Sequence, residues 1–211
     1  MLARFLPQSV PFFELLAKQS TIIQKQIQQL IIINEQAENN HPIEIQTLQS
    51  TKKEINQLYS TITEHLSRTF ITPIDKEDIH AINLGQLYLS CTFYELGTLF
   101  FYCRIPASIP SSLELLIANE QNMIDDILSM IKELPKKTDI SPNLQEIREK
   151  KENGATILVM GFKKIQEFNF TDISTTKELF ILSKYYDKLA LAMEQTLNLA
   201  DILEKTMIKY V

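Results

Sequence analysis

Glycine is the residue this chain does almost without. Four glycines occur in 211 residues, and there is no tryptophan. A β fold of many short strands needs frequent glycine-bearing turns, whereas the long stretches here are filled with Leu, Ile, Gln, Glu and Lys, which favour helices. Of the eight prolines, Pro42, Pro73, Pro106 and Pro110 read as joints between helices. The chain is therefore read as all-α, built from six long helices.

Apolar residues recur at helical spacing within each stretch. Helix one is expected from about Ser9 to Glu38, with Phe12, Phe13, Leu15, Leu16, Ile22, Ile23, Ile27 and Leu30 as its apolar set. Helix two follows from about Ile43 to Phe70, on a stripe of Ile45, Leu48, Ile55, Leu58, Ile62 and Leu66. Pro73 stops it, because proline lacks an N–H and forces Thr72 to be extended. Helix three is expected from Asp75 to Tyr102, helix four from Ser111 or Ser112 to Leu134, helix five from Pro142 to Phe168, and helix six from Thr176 to Lys209, after a break at Thr171 to Thr175. The segments starting at Leu48 and Leu144 share a layout: Leu-Gln, a mixed charge patch, an apolar stripe, a Phe, then Thr and Asp before the next helix. This repeat predicts two three-helix halves, 1–104 and 111–211, joined by a Pro-rich linker at 105–110 in one compact domain. Long helices with short connections pack as antiparallel neighbours.

The net charge of -5 excludes a polycationic nucleic-acid binder. Charged residues at 22% and hydrophobic ones at 45% are an ordinary globular balance. Cys91 and Cys103 stand in one helical segment about 18 Å apart along the axis, beyond disulfide reach, and read as free thiols of a reducing cytoplasm. Pro7 and Pro11 interrupt the apolar start, and no small-x-small cleavage site follows, so no signal peptide is expected. From Ala81 to Cys103 the only charge is Glu95, yet Asn83, Gln86, Ser90, Thr92 and Thr98 are scattered through the segment. It is read as the central helix of a soluble bundle, peripheral to a membrane at most.

The stretch "TFITPIDKEDIHAI", Thr69 to Ile82, stops an apolar run at Pro73 and follows it with Asp75, Glu77 and Asp78. Capping accounts for all three acids. Asp75 stands at the N-cap, Asp78 three residues later at the capping-box position, and Glu77 in the first turn, where negative charge suits the helix dipole. His80, near this start, is expected to hydrogen-bond it and to be structural.

This stretch resembles the hallmark turn of the PhoU-like proteins of the DUF47 family, in which "TFITPFDREDIH" follows a long helix. The resemblance implies two three-helix bundles and a cytoplasmic, non-enzymatic regulator or adaptor of inorganic phosphate uptake. That regulator would bind a phosphate permease or its signalling partner. It also implies metal clusters held by acids four residues apart, which share a helix face and can hold one hard cation together. The chain departs from that acidic pattern. Before the turn it has Lys52, Lys53, Glu54, Ile55 and Asn56; after it, "LGQLYLSC"; in the second half, Glu152, Asn153, Gly154, Ala155 and Thr156. The carboxylates left as metal candidates are Glu54, Glu152, Glu194 and Asp201, and exposed helix-face acids are the ordinary alternative for each. No cofactor is expected beyond weak divalent-metal binding.

His41, His65 and His80 form no H-x-x-x-H pair, and no nucleophile-elbow, P-loop or dinucleotide motif occurs. Gly154 and Gly161, seven apart in helix five, read as points of close helix packing. Tyr88, Phe93, Tyr94, Phe100, Phe101 and Tyr102 spread too widely around helix three for one stripe, and are expected to form an interface for a homo-oligomer or a protein partner. The alternative is that the second half of the chain covers them. Two function classes follow: a binding regulator, and a metal carrier or metal-dependent enzyme on a helical bundle.

Overall fold

The computed structural model describes residues 10–39, 41–103, 111–167 and 173–210. Six helices run in order: α1 (Phe12–Glu38), α2 (Gln46–Arg68), α3 (Lys76–Tyr102), α4 (Ser111–Glu133), α5 (Ser141–Glu167) and α6 (Ile173–Tyr210), with a 3-10 turn at Leu134–Lys136 after α4. No strand occurs among the described residues. The all-α expectation and the helix count hold.

Several boundaries differ from the expected ones, and α2 starts at Gln46 rather than at about Ile43. Helix α2 ends at Arg68, so Phe70 lies in the turn rather than in the helix. Helix α6 starts at Ile173, inside the expected break. Ser9, Phe168 and the join at 105–110 lie outside the described residues.

Helices α1, α3, α6 and α4 form a central ring: α1 packs on α3 and α4, and α6 packs on α3 and α4. Helix α2 lies against α1 and α3, and α5 against α4 and α6. The register follows from paired residues. Ser20 bonds Gln86, so α1 and α3 run parallel at an offset that also brings Leu30 to Gly97. Asp78 meets Lys209 and Glu95 meets Lys188, so α3 and α6 are antiparallel. Consequently α1 and α3 begin, and α2, α4 and α6 end, at the same end of the bundle.

The stripe expected on α2 is buried, whereas Phe13 and Leu15 of the set expected on α1 are only half-buried and Leu115 of α4, whose spacing suggested an inward place beside Leu116, is 54% exposed. Leu48, Ile55, Leu58, Ile62 and Leu66 of α2 are buried, as are Leu113, Leu116, Met123, Ile127 and Met130 of α4. All belong to one hydrophobic cluster with residues from every helix. The glycines of α5 sit where helices close in. A Cβ on Gly161 would stand 2.6 Å from the Tyr186 ring, and one on Gly154 2.3 Å from Met193 Sδ. No described helix is long and apolar enough to cross a membrane.

Candidate functional site

The site is built around the turn Thr69–Asp75 and the helix that follows. Thr72 Oγ1 donates to the Ile74 carbonyl at 2.7 Å and holds the turn, while Ile74 anchors it in the core. Phe70 and Ile71 project from it, 95% and 83% exposed.

Asp75 occupies the N-cap position, but its side chain makes no capping hydrogen bond. The capping-box expectation is therefore corrected. The acids answer to the far end of the chain instead. Lys209, in the last turn of α6, donates to both oxygens of Asp78 at 2.8 and 2.9 Å and lies 3.9 Å from Asp75. The Tyr210 hydroxyl accepts the Asp75 backbone N–H, serving the helix start in place of a side-chain cap. Asp78 is only 13% exposed, and the pair raises the Lys209 pKa, chiefly through the hydrogen bond to Asp78. Glu77 is exposed. His80 is exposed as well and bonds nothing among the described residues, so its expected hydrogen bond to the helix start is also corrected.

The four metal candidates are not brought together. Glu54 lies 3.8 Å from Lys18, Glu194 2.8 Å from Lys151, and Asp201 3.2 Å from Arg148. Glu152 is exposed on α5. Among the described residues no three His, Cys, Asp or Glu side chains converge as a metal would require. Between α2 and α3 the Lys52 ammonium donates to Cys91 Sγ at 2.7 Å, and between α5 and α6 the Lys151 ammonium meets Glu194. A positive side chain thus stands at both helix pairs where a hard cation would need oxygen ligands, so the donor set does not fit a multinuclear cluster.

The aromatic residues of α3 divide. Phe93 and Phe100 are 0% exposed, and Phe100 stacks at 4.4 Å on Tyr185 of α6. They belong to the intramolecular core, which corrects their assignment to an interface: α6 covers the second face of α3. Tyr94 is half-buried. Tyr88, Phe101 and Tyr102 remain exposed, the last two edge to face at 4.9 Å.

Beside Tyr88, a shallow apolar cavity of about 240 Å³ opens between α3 and α6, floored by Gly85 and Leu199. A second cavity, of about 510 Å³, lies between the start of α1 and the turn and is lined by Phe13, Ile71, Pro73 and Pro135.

Sequence reasoning passed over Glu120, which is wholly buried on α4. Its signal was phase: Glu120 falls on the same stripe as Leu113, Leu116, Met123 and Ile127.

No protein-family profile matches the chain, and no characterised sequence matches it either. Solved structures do. A PhoU-like protein from Shewanella oneidensis MR-1 superposes with a TM-score of 0.75 at 14% identity, over 93% of this chain and 99% of that one. The fold is PhoU-like. A second structure from the same organism, of a chain named as a PhoU-like phosphate regulatory protein, gives 0.74 at 14% identity, over 94% of this chain and 99% of that one. At this identity the likeness establishes the PhoU-like architecture and leaves the activity to the residues.

Proposed function

We propose that the protein is a non-enzymatic regulator or adaptor of inorganic phosphate uptake, and that it acts in the cytoplasm by binding a phosphate permease or its signalling partner. One observation carries this reading: the PhoU-like fold spans nearly the whole of the chain described, and one of the solved structures that shares it is named a phosphate regulatory protein. The chemistry of the surface supports it. Asp78 is held by Lys209 with Asp75 close by, and Glu54, Glu194 and Asp201 each face a cation. What the turn offers outward is Phe70 and Ile71, which suits binding to a protein rather than turnover of a substrate. Membership of the DUF47 branch with degenerate metal motifs, and self-association through Tyr88, Phe101 and Tyr102, belong to the same proposal.

The test pairs phosphate uptake with capture. A strain lacking the protein should show altered uptake of labelled phosphate. The tagged protein should retain a phosphate permease or its signalling partner from native cells, and Phe70→Ser with Ile71→Ser should lose it. Unchanged uptake with neither partner retained would remove the proposal. Two or more equivalents of iron or zinc per chain after dialysis would favour the metal-binding alternative.

A further inference from the structure

Glu120 plays no part in that binding role, and its surroundings are unusual for a carboxyl group. Glu120 Oε1 accepts from Thr196 Oγ1 at 2.6 Å, whereas Oε2 has no partner. Nearby helices bury further polar groups: both side-chain atoms of Gln26 on α1, and Ser90 Oγ on α3, are likewise unpartnered. The registers bring these groups to one level. Ser20 bonds Gln86, Thr92 bonds Gln195 and Glu120 bonds Thr196, so Gln26, Ser90, Glu120 and Thr196 fall within roughly a turn, ~5 Å, along the bundle axis. They form a polar layer in the central ring, with α1 and α3 supplying one side and α4 and α6 the other.

Among the described residues no charge is paired into this layer. On α1, Lys25 and Glu35 are exposed and Lys18 turns to Glu54. On α5, Lys150 bonds Asp126 and Lys151 bonds Glu194. On α6, Lys188 is held by Glu95, Tyr185 donates to the Cys103 carbonyl, and Tyr186 pairs with Ser112. On α4 itself, Asp125 accepts from Gln24, and in the 3-10 turn Lys136 pairs with Glu133. On α3, Cys91 takes the Lys52 ammonium. A carboxylate with no cation in reach is costly inside a protein, whereas a neutral carboxyl is not. Burial raises the Glu120 pKa to about 8, and the Thr196 bond lowers it less.

We propose that Glu120 is a proton-binding switch between the two halves of the bundle: neutral, it fits the polar layer; ionised, it draws water in and loosens α4 and α6 against α1 and α3. The switch releases one proton as the bundle loosens, so the contact between halves weakens as the solution turns alkaline.

Infrared spectroscopy and hydrogen exchange on the full chain test this. The carbonyl stretch of a protonated carboxylic acid should be present at about pH 6.5, well above the range of exposed carboxylates, and lost by about pH 10. It should be missing from Glu120→Gln. Amides of α4 and α6, corrected for intrinsic rates, should exchange roughly tenfold faster at the higher pH in the natural protein and not in Glu120→Gln. Thr196→Val, which removes the bond favouring the carboxylate, should move the loss of the band to higher pH and supplies the test if Glu120→Gln does not fold. A missing band at about pH 6.5, equal pH dependence of exchange in Glu120→Gln, or no movement of the band in Thr196→Val would each overturn the proposal.

Discussion

Asp75 and Asp78 have the same charge and stand three residues apart, yet they should respond differently to mutation. Asp78 is largely buried and holds Lys209 with both oxygens, while Asp75 is exposed and lies at the limit of ion-pair distance. Asp78→Ala is expected to lower Tm by a few degrees, roughly the 2–4 °C per kcal/mol typical of this size, because a two-pronged charged hydrogen bond is lost from a partly desolvated site. Asp75→Ala should leave Tm within about 1 °C, since exposed pairs contribute little; thermal denaturation of both variants checks the contrast. The sequence could show that acids cluster after Pro73, but not that their partner lies 131 residues further on. Glu120 was more legible, because an acid in phase with an apolar stripe is visible without any structure. Its effect on stability has a definite sign. The folded pKa, about 8, lies above the ordinary 4.5, so the stabilising contribution is full below about 4.5 and is lost as pH rises to about 8. Glu120→Gln should therefore be more stable than the natural protein at about pH 8, by up to a few kcal/mol, and should flatten stability between those limits. Urea denaturation across that range measures it.

Among the helices, α5 shows how glycine decides a contact. In an open helix, Gly→Ala gains up to about 1 kcal/mol. At Gly161 the new methyl would meet the rigid Tyr186 ring, which is buried and tied to Ser112. Gly161→Ala is expected to cost about 1–3 kcal/mol, the usual range for overpacking. Gly85→Ala on α3 meets only Leu199 Cδ1 at 3.2 Å and should fall close to neutral. Chemical denaturation of the pair separates crowding from propensity. Helix identity was legible because apolar spacing repeats over many turns, and helix ends were less so because the last turn depends on what packs there. Phe100 shows the limit: its place on α3 follows from sequence, but its cover by Tyr185 depends on α6, and no pattern within α3 records that.

At the scale of the molecule, the two halves share one core. Residues of α1 and α3 pack against α4 and α6 along the central ring, and the hydrophobic cluster is continuous across it. Denaturation should therefore show a single transition by far-UV circular dichroism and by tyrosine fluorescence, and residues 1–104 expressed alone should not give a cooperative one, because Phe100 would lose Tyr185 and the face of α3 that packs on α6 would be bared. Two separated transitions in the whole chain would contradict this. The sequence suggests a repeat, but the manner in which the helices of the two segments meet was not legible, since it rests on single long-range pairs. Helix α6 bears on this in another way. Its 38 residues make a rod about 57 Å long, and its last turn grips the start of α3 through Lys209. A rod of that length acts as a lever arm: a pivot of about 2° near one end sweeps the other through about 2 Å. That is enough to break a hydrogen bond at the Lys209 grip, so a push at the start of α6 would be felt mechanically beside Phe70 and Ile71.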